Sequence, residues 1–319
     1  MKADNSKPRV LAVIVNYEGA QMTLAALESL LEQSISAEIR IVVIDNASSD
    51  ADAQALNVGV GGRASVVRFE TNRGYAAACN AASQLAAEAG IPYVLWLNND
   101  LLLESGSIET MLVRLEAAPG AAAVGAVTVD FETGARVLGA GMDLSFWRGE
   151  VRHRHAGVAV AQLPEAPYQV DVVLATCVLV KISALRVIGG MDESYFMYAE
   201  DVDWAIRARQ AGFGLEIVPA ARARHAGARS SSPQAQVRLI LRNRVRMMRA
   251  RAGPATQAAF IAYFVLGKLP AYTVARLVPR FGLRAGLGLA MESLSWNVRD
   301  ALRRRRWRLR ATDQVIPRI

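Results

Sequence analysis

Tyr93-Val94-Leu95-Trp96-Leu97-Asn98-Asn99-Asp100 is the stretch on which the reading of this chain turns. Val94 to Leu97 run without a polar break and then stop at three polar residues. Such a run reads as a strand buried on both faces of a parallel sheet. Ligands of open α/β sheets gather at the carboxyl ends of the strands. A carboxylate placed there, with amide oxygens beside it, suits a hard divalent cation that keeps some waters and takes other oxygens from a diphosphate. The competing reading is a plain polar connection in which Asn or Asp caps a helix near Ser105. The rest of the chain has to decide between the two.

Outward from this stretch, strand and helix patterns alternate. Val10–Val15, Ile39–Ile44, Ala64–Phe69 and Ala122–Val129 read as further strands. Between them, Gln21–Glu32 has helical spacing, with Leu24, Leu27, Leu30 and Leu31 on one side. An alanine-rich helix runs to about Ala89, and another covers Ser105–Glu116. Asp45-Asn46-Ala47-Ser48-Ser49-Asp50 is a turn that ends in a helix cap. This βαβα order predicts a mostly parallel central sheet with helices on both faces. Regularity lapses from Asp130 to Gln169, a segment with Trp147, His153 and His155; loops this long inside a domain are functional or mobile. It resumes with a strand over Val170–Val180, a helix at Ser183–Val187, a helix from near Tyr198 to Gly212, and strand-like Leu215–Val218.

The formal net charge of +8 over 319 residues hides a division. Residues 1–221 carry 16 Lys+Arg and 26 Asp+Glu, a net of −10, whereas residues 222–319 carry 21 and 3, a net of +18. The predicted organisation is an α/β domain over 1–230 and a helical, basic region over 231–319. A tail of that charge seeks an anionic surface. The acidic body argues against wrapping nucleic acid, and aromatics among the basic residues argue for lipid. Ala252–Gly267 is the longest uncharged run, at 16 residues ending at Lys268, short of the roughly 20 a bilayer span needs. It reads as an interfacial element, with Trp307 in the cluster Arg303–Arg308 as an anchor. The C-terminal helices also offer an oligomer interface. The 2 cysteines, Cys79 and Cys177, fit a reducing compartment. The apolar run after Lys2 and Lys7 is too short for a signal-peptide core. The expected location is cytoplasmic, on the inner face of the membrane.

Four sites fall at predicted strand ends or the turns that follow: Asn16-Tyr17, Asp45, Asn72-Arg73-Gly74 and Asn98-Asn99-Asp100. An aromatic ring, a carboxylate able to accept from a base N–H, and an arginine make a nucleotide pocket. Neither the G-x-G-x-x-G fingerprint nor the P-loop lysine is present. A second acidic site, Glu200-Asp201-Val202-Asp203, opens a helix after the aromatic run Tyr195–Tyr198. Acids in a first turn complement the helix dipole, and Asp203 needs no further explanation. A carboxylate sheltered by those aromatics would gain basicity and could serve as a general base. His225 is a lone histidine, structural or metal-ligating.

These residues, in this order and spacing, resemble the family 2 inverting glycosyltransferases of the GT-A fold, especially their bacterial rhamnosyltransferase-like branch. The resemblance covers about residues 9–230. It rests on Val13–Tyr17, Val42–Asp50, Asn72–Asn80, Leu97–Asp100, Gly189-Gly190-Met191-Asp192-Glu193 and Glu200–Asp203. It implies that Asn16, Tyr17, Asp45 and Arg73 bind the donor nucleotide. Asn98 and Asn99 would stand with Asp100 in place of a D-x-D motif, Asp100 and His225 holding Mg²⁺ or Mn²⁺. Asp201 would be the base, with Glu200 and Trp147 as secondary candidates. Asn98 occupies the first D-x-D position, so one formal charge is missing and weaker metal affinity is implied. The implied reaction moves a sugar, L-rhamnose from dTDP-rhamnose in the first instance, to a hydroxyl of a glycan or lipid-linked glycan. A UDP-sugar donor, such as UDP-galactofuranose or UDP-glucose, is the alternative.

Two other readings separate on sequence features. A sugar-phosphate nucleotidyltransferase would need a glycine- and base-rich loop after the first strand, where this chain has Asn16-Tyr17-Glu18-Gly19-Ala20. A non-catalytic membrane-binding module would explain the tail and leave the strand-end constellation without a purpose.

Overall fold

The computed structural model describes residues 9–227 and 232–308, with side chains described as far as 300. The chain forms two compact units, Met1–Leu144 with Val151–Ser230, and Ser145–Glu150 with Ser231–Ile319.

In the first unit the order is β1 (Val10–Asn16), α1 (Ala20–Leu31), β2 (Ile39–Asp45), α2 (Asp50–Val60), β3 (Ser65–Arg68), α3 (Tyr75–Glu88) and β4 (Tyr93–Asn98). Then follow β5 (Leu101–Leu103), α4 (Ser107–Ala117), β6 (Ala121–Asp130), β7 (Val137–Gly139), β8 (Met142–Ser145), β9 (Glu150–His153), β10 (Tyr168–Gln169), β11 (Cys177–Lys181), α5 (Ile182–Ile188), α6 (Glu200–Gln210) and β12 (Gly214–His225). Ten strands make one sheet, ordered β10-β12-β6-β11-β4-β1-β2-β3, with β5 on β12 and β7 on β6. The strands β3, β2, β1, β4, β6 and β12 run one way, and β11 is inserted antiparallel between β4 and β6. The apolar runs form the strands buried on both faces: every residue of β1 is buried, as are Val94 to Leu97 of β4. Leu27, Leu30, Leu56 and Met111 of the flanking helices close over them, each such side chain contributing about 1.5–3 kcal/mol by its burial.

Two local readings change. Val170–Val180 is not one strand. Only Tyr168–Gln169 and Cys177–Lys181 are paired as strands, and the residues between form a loop whose carbonyls at Ala175 and Thr176 serve the site. Nor do Asn98 to Asp100 cap a helix. The chain turns at Asn99 and Asp100 into β5, and α4 starts after Gly106 in a left-handed conformation (φ +74°) with no side-chain cap.

β12 carries the other consequential detail. Its register against β6 shifts between Val218, opposite Ala126, and Arg222, opposite Val127. Such a bulge re-aims the strand beyond it, and β12 then runs on to pair His225 with Leu101 of β5.

The second unit holds α7 (Pro233–Arg251), α8 (Pro254–Phe281) and α9 (Leu283–Arg308). Here the sequence reading is corrected. The helix does not stop with the uncharged run at Lys268: α8 continues to 28 residues, long and apolar enough by length and composition to cross a membrane, with only 22% of its most apolar window buried. Pro270 and Pro279 do not end it, because a π-helical turn precedes each, at Tyr263–Lys268 and Thr273–Leu277. The wider turn accommodates the carbonyl that a proline ring would otherwise strike. The side chain of Trp307, proposed as an anchor, and the boundary at residue 230 lie outside what is described. Trp147 belongs to this second unit, its ring 5.4 Å from that of Tyr263 and beneath Arg148.

Candidate active site

The carboxyl ends of β1, β2 and β4 lie side by side, since Asn16 pairs with Asp45 and Val15 with Asn98. Asn16 is fully buried. Its Nδ2 lies within hydrogen-bond distance of Asp45 Oδ1 (3.1 Å), Ser48 Oγ (3.1 Å) and Asp52 Oδ2 (2.9 Å). Its Oδ1 accepts from Thr23 Oγ1 at 2.7 Å, and Thr23 Oγ1 accepts from Asn99 Nδ2 at 3.2 Å. Asn16 thus sits beneath the rim and orders Asp45, while a relay of side chains joins it to the Asn98–Asp100 turn. Asp45, 1% exposed, also accepts from Ser48 Oγ at 2.5 Å. Its other oxygen lies 3.3 Å from Arg68 Nε and is closed off from the surface. Tyr17 is 38% exposed beside this group.

Arg73 lies over the Phe69 ring at 5.0 Å and donates to Glu193 Oε2 at 3.0 Å. The turn that carries it is held by Asn46, which accepts from Arg73 N (2.9 Å) and donates to the Gly74 carbonyl (3.2 Å). Gly74 has φ +82°, and a Cβ there would stand 2.2 Å from the Phe196 carbonyl oxygen. That oxygen accepts from Tyr75 N at 3.0 Å. Only glycine allows the backbone this close, so the Asn72–Gly74 turn rests directly on the loop before α6.

That loop is strained. Phe196, Tyr198 and Ala199 all have positive φ (67°, 68° and 71°). Conformations of this kind cost on the order of 1–3 kcal/mol each and persist where the surroundings over-determine them. Here Asn80 accepts from Met191 N and donates to the Met191 carbonyl, both at 2.8 Å, and Arg207 donates to the carbonyls of Ile188 (2.7 Å) and Gly190 (2.6 Å). Asp203 is fully buried and accepts from Tyr195 Oη and Arg207 Nε, each at 3.0 Å.

The loop delivers Glu200 and Asp201. Asp201 keeps partial exposure and accepts from Val202 N at 2.8 Å. Burial pushes its carboxyl above the usual aspartate range, against the opposing pull of backbone donors at Val202 and Ala175. Glu200 is 5% exposed, and its Oε2 is buried without a hydrogen-bond partner. Burial first, and then the adjoining Asp201 charge, raise its carboxyl further. Two neighbouring buried carboxyls cannot both ionise cheaply. Of the two, Asp201 is the more accessible.

Asp100 Oδ2 lies 3.1 Å from His225 Nε2. β5 and the end of β12 create this pairing, and Ala226 N donates to the Asp100 carbonyl at 3.0 Å. A carboxylate and an imidazole, with the Asn98 and Asn99 amides adjoining, are donors a divalent cation accepts. Among the described residues no group of three or more His, Cys, Asp and Glu could hold a metal. Asp100 and His225 are two donors of this kind, side by side. Sequence reasoning missed Thr23, Asp52 and Arg68, single polar residues with no spacing signal that only their partners mark, and it gave no separate role to Ser48 and Asn80, which lie in the stretches that carry the resemblance.

Comparison with known proteins agrees with this architecture. Residues 11–161 match the family model "Glycosyl transferase family 2"; Asn16, Asp45, Arg73 and Asp100 lie inside the match, Asp201 and His225 beyond it. Over 232 residues the chain is 29% identical to N-acetylglucosaminyl-diphospho-decaprenol L-rhamnosyltransferase of Mycobacterium tuberculosis, covering 65% of this chain and 72% of the relative. It is 36% identical over 73 residues to the rhamnosyltransferase WbbL of Escherichia coli, covering 22% of this chain and 28% of that one. Among solved structures, GalNAc-T7 with UDP, GalNAc and Mn²⁺ superposes with a TM-score of 0.63 at 17% identity, over 82% of this chain and 51% of that one. The Pyrobaculum calidifontis mannosyltransferase PcManGT with GDP-Man and Mn²⁺ does so with 0.56 at 20% identity, over 92% and 84%. The first unit thus has the GT-A fold of these solved neighbours, residues 11–161 match the family 2 glycosyl transferases, and the chain is similar to rhamnosyltransferases.

Proposed function

We propose that this enzyme transfers L-rhamnose from dTDP-rhamnose, with inversion, to a hydroxyl of a lipid-linked glycan at the cytoplasmic face of the membrane. The observation that carries the reading is the Asp100–His225 pair beside the carboxyl end of β4, a carboxylate and an imidazole that together could ligate a divalent cation. Names of relatives support the sugar: both rhamnosyltransferases carry it, and the mycobacterial one also names a decaprenyl diphosphate acceptor. Solved neighbours with a nucleotide or nucleotide-sugar and Mn²⁺ support a divalent cation, Mg²⁺ or Mn²⁺. The basic second unit supports an anionic membrane as partner.

In this reading Tyr17, Asp45 and Arg73 hold the nucleotide. Asp100 and His225 hold the cation, with Asn98 and Asn99 adjoining. When bound, the cation neutralises charge on the departing nucleoside diphosphate. Asp201 accepts the proton of the acceptor hydroxyl as its oxygen bonds the sugar's anomeric carbon. The bond from that carbon to the phosphate oxygen breaks on the opposite face, its electron pair leaving with the diphosphate. One displacement with one base inverts the centre. Burial supports Asp201 in this role, because a carboxylate lifted from its usual range is a better base at neutral pH. The deciding experiment is a panel of nucleotide-sugars measured for binding and for slow hydrolysis. The proposal expects dTDP-rhamnose to lead and fails on the sugar if a UDP-sugar does. Absence of binding by any nucleotide-sugar would remove the reading altogether.

A further inference from the structure

One face of α8 is kept free of charge. From Ala255 to Ala275 every exposed residue is apolar or glycine, with Ile261 48%, Val265 36%, Leu266 81% and Val274 72% exposed. The other face buries Phe260, Phe264, Leu269, Thr273 and Leu277. The single charge in that stretch, Lys268, is turned onto Glu150 Oε1 at 2.8 Å. Glu150 also accepts from Arg244 Nη2 (3.0 Å) and Tyr263 Oη (3.1 Å). These donors hold its carboxyl below the ordinary glutamate value, although burial alone would raise it. At 1.5 Å per residue the free face is about 30 Å long.

Exposed apolar surface on this scale marks a partner, and the end of the helix indicates its chemistry. Tyr272, Arg276 and Arg280 line, with Val237, a groove of about 480 Å³ where the apolar face stops. An apolar face that ends in a cationic groove matches the hydrocarbon edge and anionic headgroups of a bilayer. A second copy of the chain fits worse, since residues 222–319 carry +18 on each copy and like charges repel.

We propose that α8 is a monotopic membrane-insertion element. It lies in the plane of an anionic bilayer, with Ile261, Val265, Leu266 and Val274 in the hydrocarbon edge and Arg276 and Arg280 at headgroup phosphates. It does not cross the bilayer, because its inner face is covered by residues of its own unit and rests on the charged Glu150 cluster. This goes beyond attachment by charge: the grip is apolar, and it is independent of which sugar is transferred.

Flotation of the full chain with phosphatidylglycerol-containing vesicles tests it, at low salt and at roughly 1 M NaCl, where the Debye length is ~3 Å. The wild type should stay bound at high salt. A variant with Ile261→Glu and Leu266→Glu should lose at least about tenfold in vesicle affinity, more than 1.4 kcal/mol. An environment-sensitive fluorophore on Leu266→Cys should shift to the blue with vesicles, and the same probe on Val58→Cys in the first unit should not. Both positions are exposed and both native cysteines are buried, so labelling is selective. Release of the wild type by high salt, or an unshifted probe at 266, overturns the proposal. So does a wild-type dimer that ignores vesicles and dissociates on Leu266→Glu, which would make the face an interface between copies.

Discussion

Asp100 and His225 lie 125 residues apart in the chain, yet their side chains meet at 3.1 Å, Oδ2 to Nε2. No helix or hairpin periodicity relates them. β5 and the bulged β12 bring them together. In a cation-dependent enzyme the two are partners in one site, and they should fail together and unequally. Asp100→Ala should abolish the gain in nucleoside diphosphate affinity that Mg²⁺ or Mn²⁺ confers. His225→Ala should weaken it about tenfold, some 1.4 kcal/mol. Calorimetric titration with and without chelator checks both. Equal affinity in chelator for the wild type would show that positive side chains alone meet the phosphates.

Asp201 and Asp203 share a helix turn but have different surroundings, and substitution should separate them. Asp201→Asn should lower turnover by about 10²–10⁴-fold, the usual worth of a general base, with donor affinity retained. Because burial raises the Asp201 carboxyl, the rising limb of the wild-type kcat/KM profile should lie above the ordinary aspartate range. Asp203→Asn loses its ion pair with Arg207 and weakens the bond from Tyr195. It should cost stability, about 1–3 kcal/mol, far more than it costs turnover. Near-normal turnover in the Asp201 variant would return the role to Glu200.

Glu200 should leave a signature in stability against pH. Its folded carboxyl is raised by burial and by Asp201, so the folded state favours the protonated form. The stabilisation is full below the unfolded value near about 4.3 and is lost as pH rises through the raised folded value. Glu200→Gln removes that proton exchange. Denaturant titrations should show the variant and wild type nearly alike in mild acid and the variant gaining as pH increases towards neutrality and beyond. Parallel decline of the two proteins over that range would rule the assignment out.

Gly74→Ala is a sharper structural test. It places a methyl where the Phe196 carbonyl stands and asks an alanine to hold φ +82°. The loss should exceed about 1 kcal/mol, and both donor affinity and turnover should fall, because the Arg73 turn and the Asp201 loop share this contact. Thermal melts together with nucleotide binding measure the two effects. A variant unchanged in both would mean that the turn and the loop are not mechanically joined.

Much of the sheet was legible because β1, β4 and most of β2 are apolar runs buried on both faces, with α1 showing its leucine stripe. What failed has physical causes. Val172 and Val173 are as buried as strand residues, so Val170–Val180 reads as continuous; the loop within it is dictated by the carbonyls needed at Ala175 and Thr176. Lys268 reads as the end of the interfacial run, whereas Glu150 holds its charge and the helix runs on through two π-helical turns. Left-handed residues at Phe196, Tyr198 and Ala199 leave no trace in composition, since none is glycine. Arg68 and Thr23 were invisible for a related reason. Their meaning lies wholly in which distant atoms they reach.

The bulge in β12 turns one aspect of this site into a matter of counting. Pro219, Ala220 and Ala221 lie between two residues that oppose consecutive positions of β6. Side chains alternate faces along a strand, so a slip of one residue would carry His225 away from Asp100 and put its neighbour there. The letter at exposed Ala220 should matter little, and a serine or lysine there should leave metal-dependent nucleotide binding intact. Deleting that alanine should abolish it while leaving α4 and the parallel half of the sheet in place. Here the segment's length, rather than its spelling, holds the information.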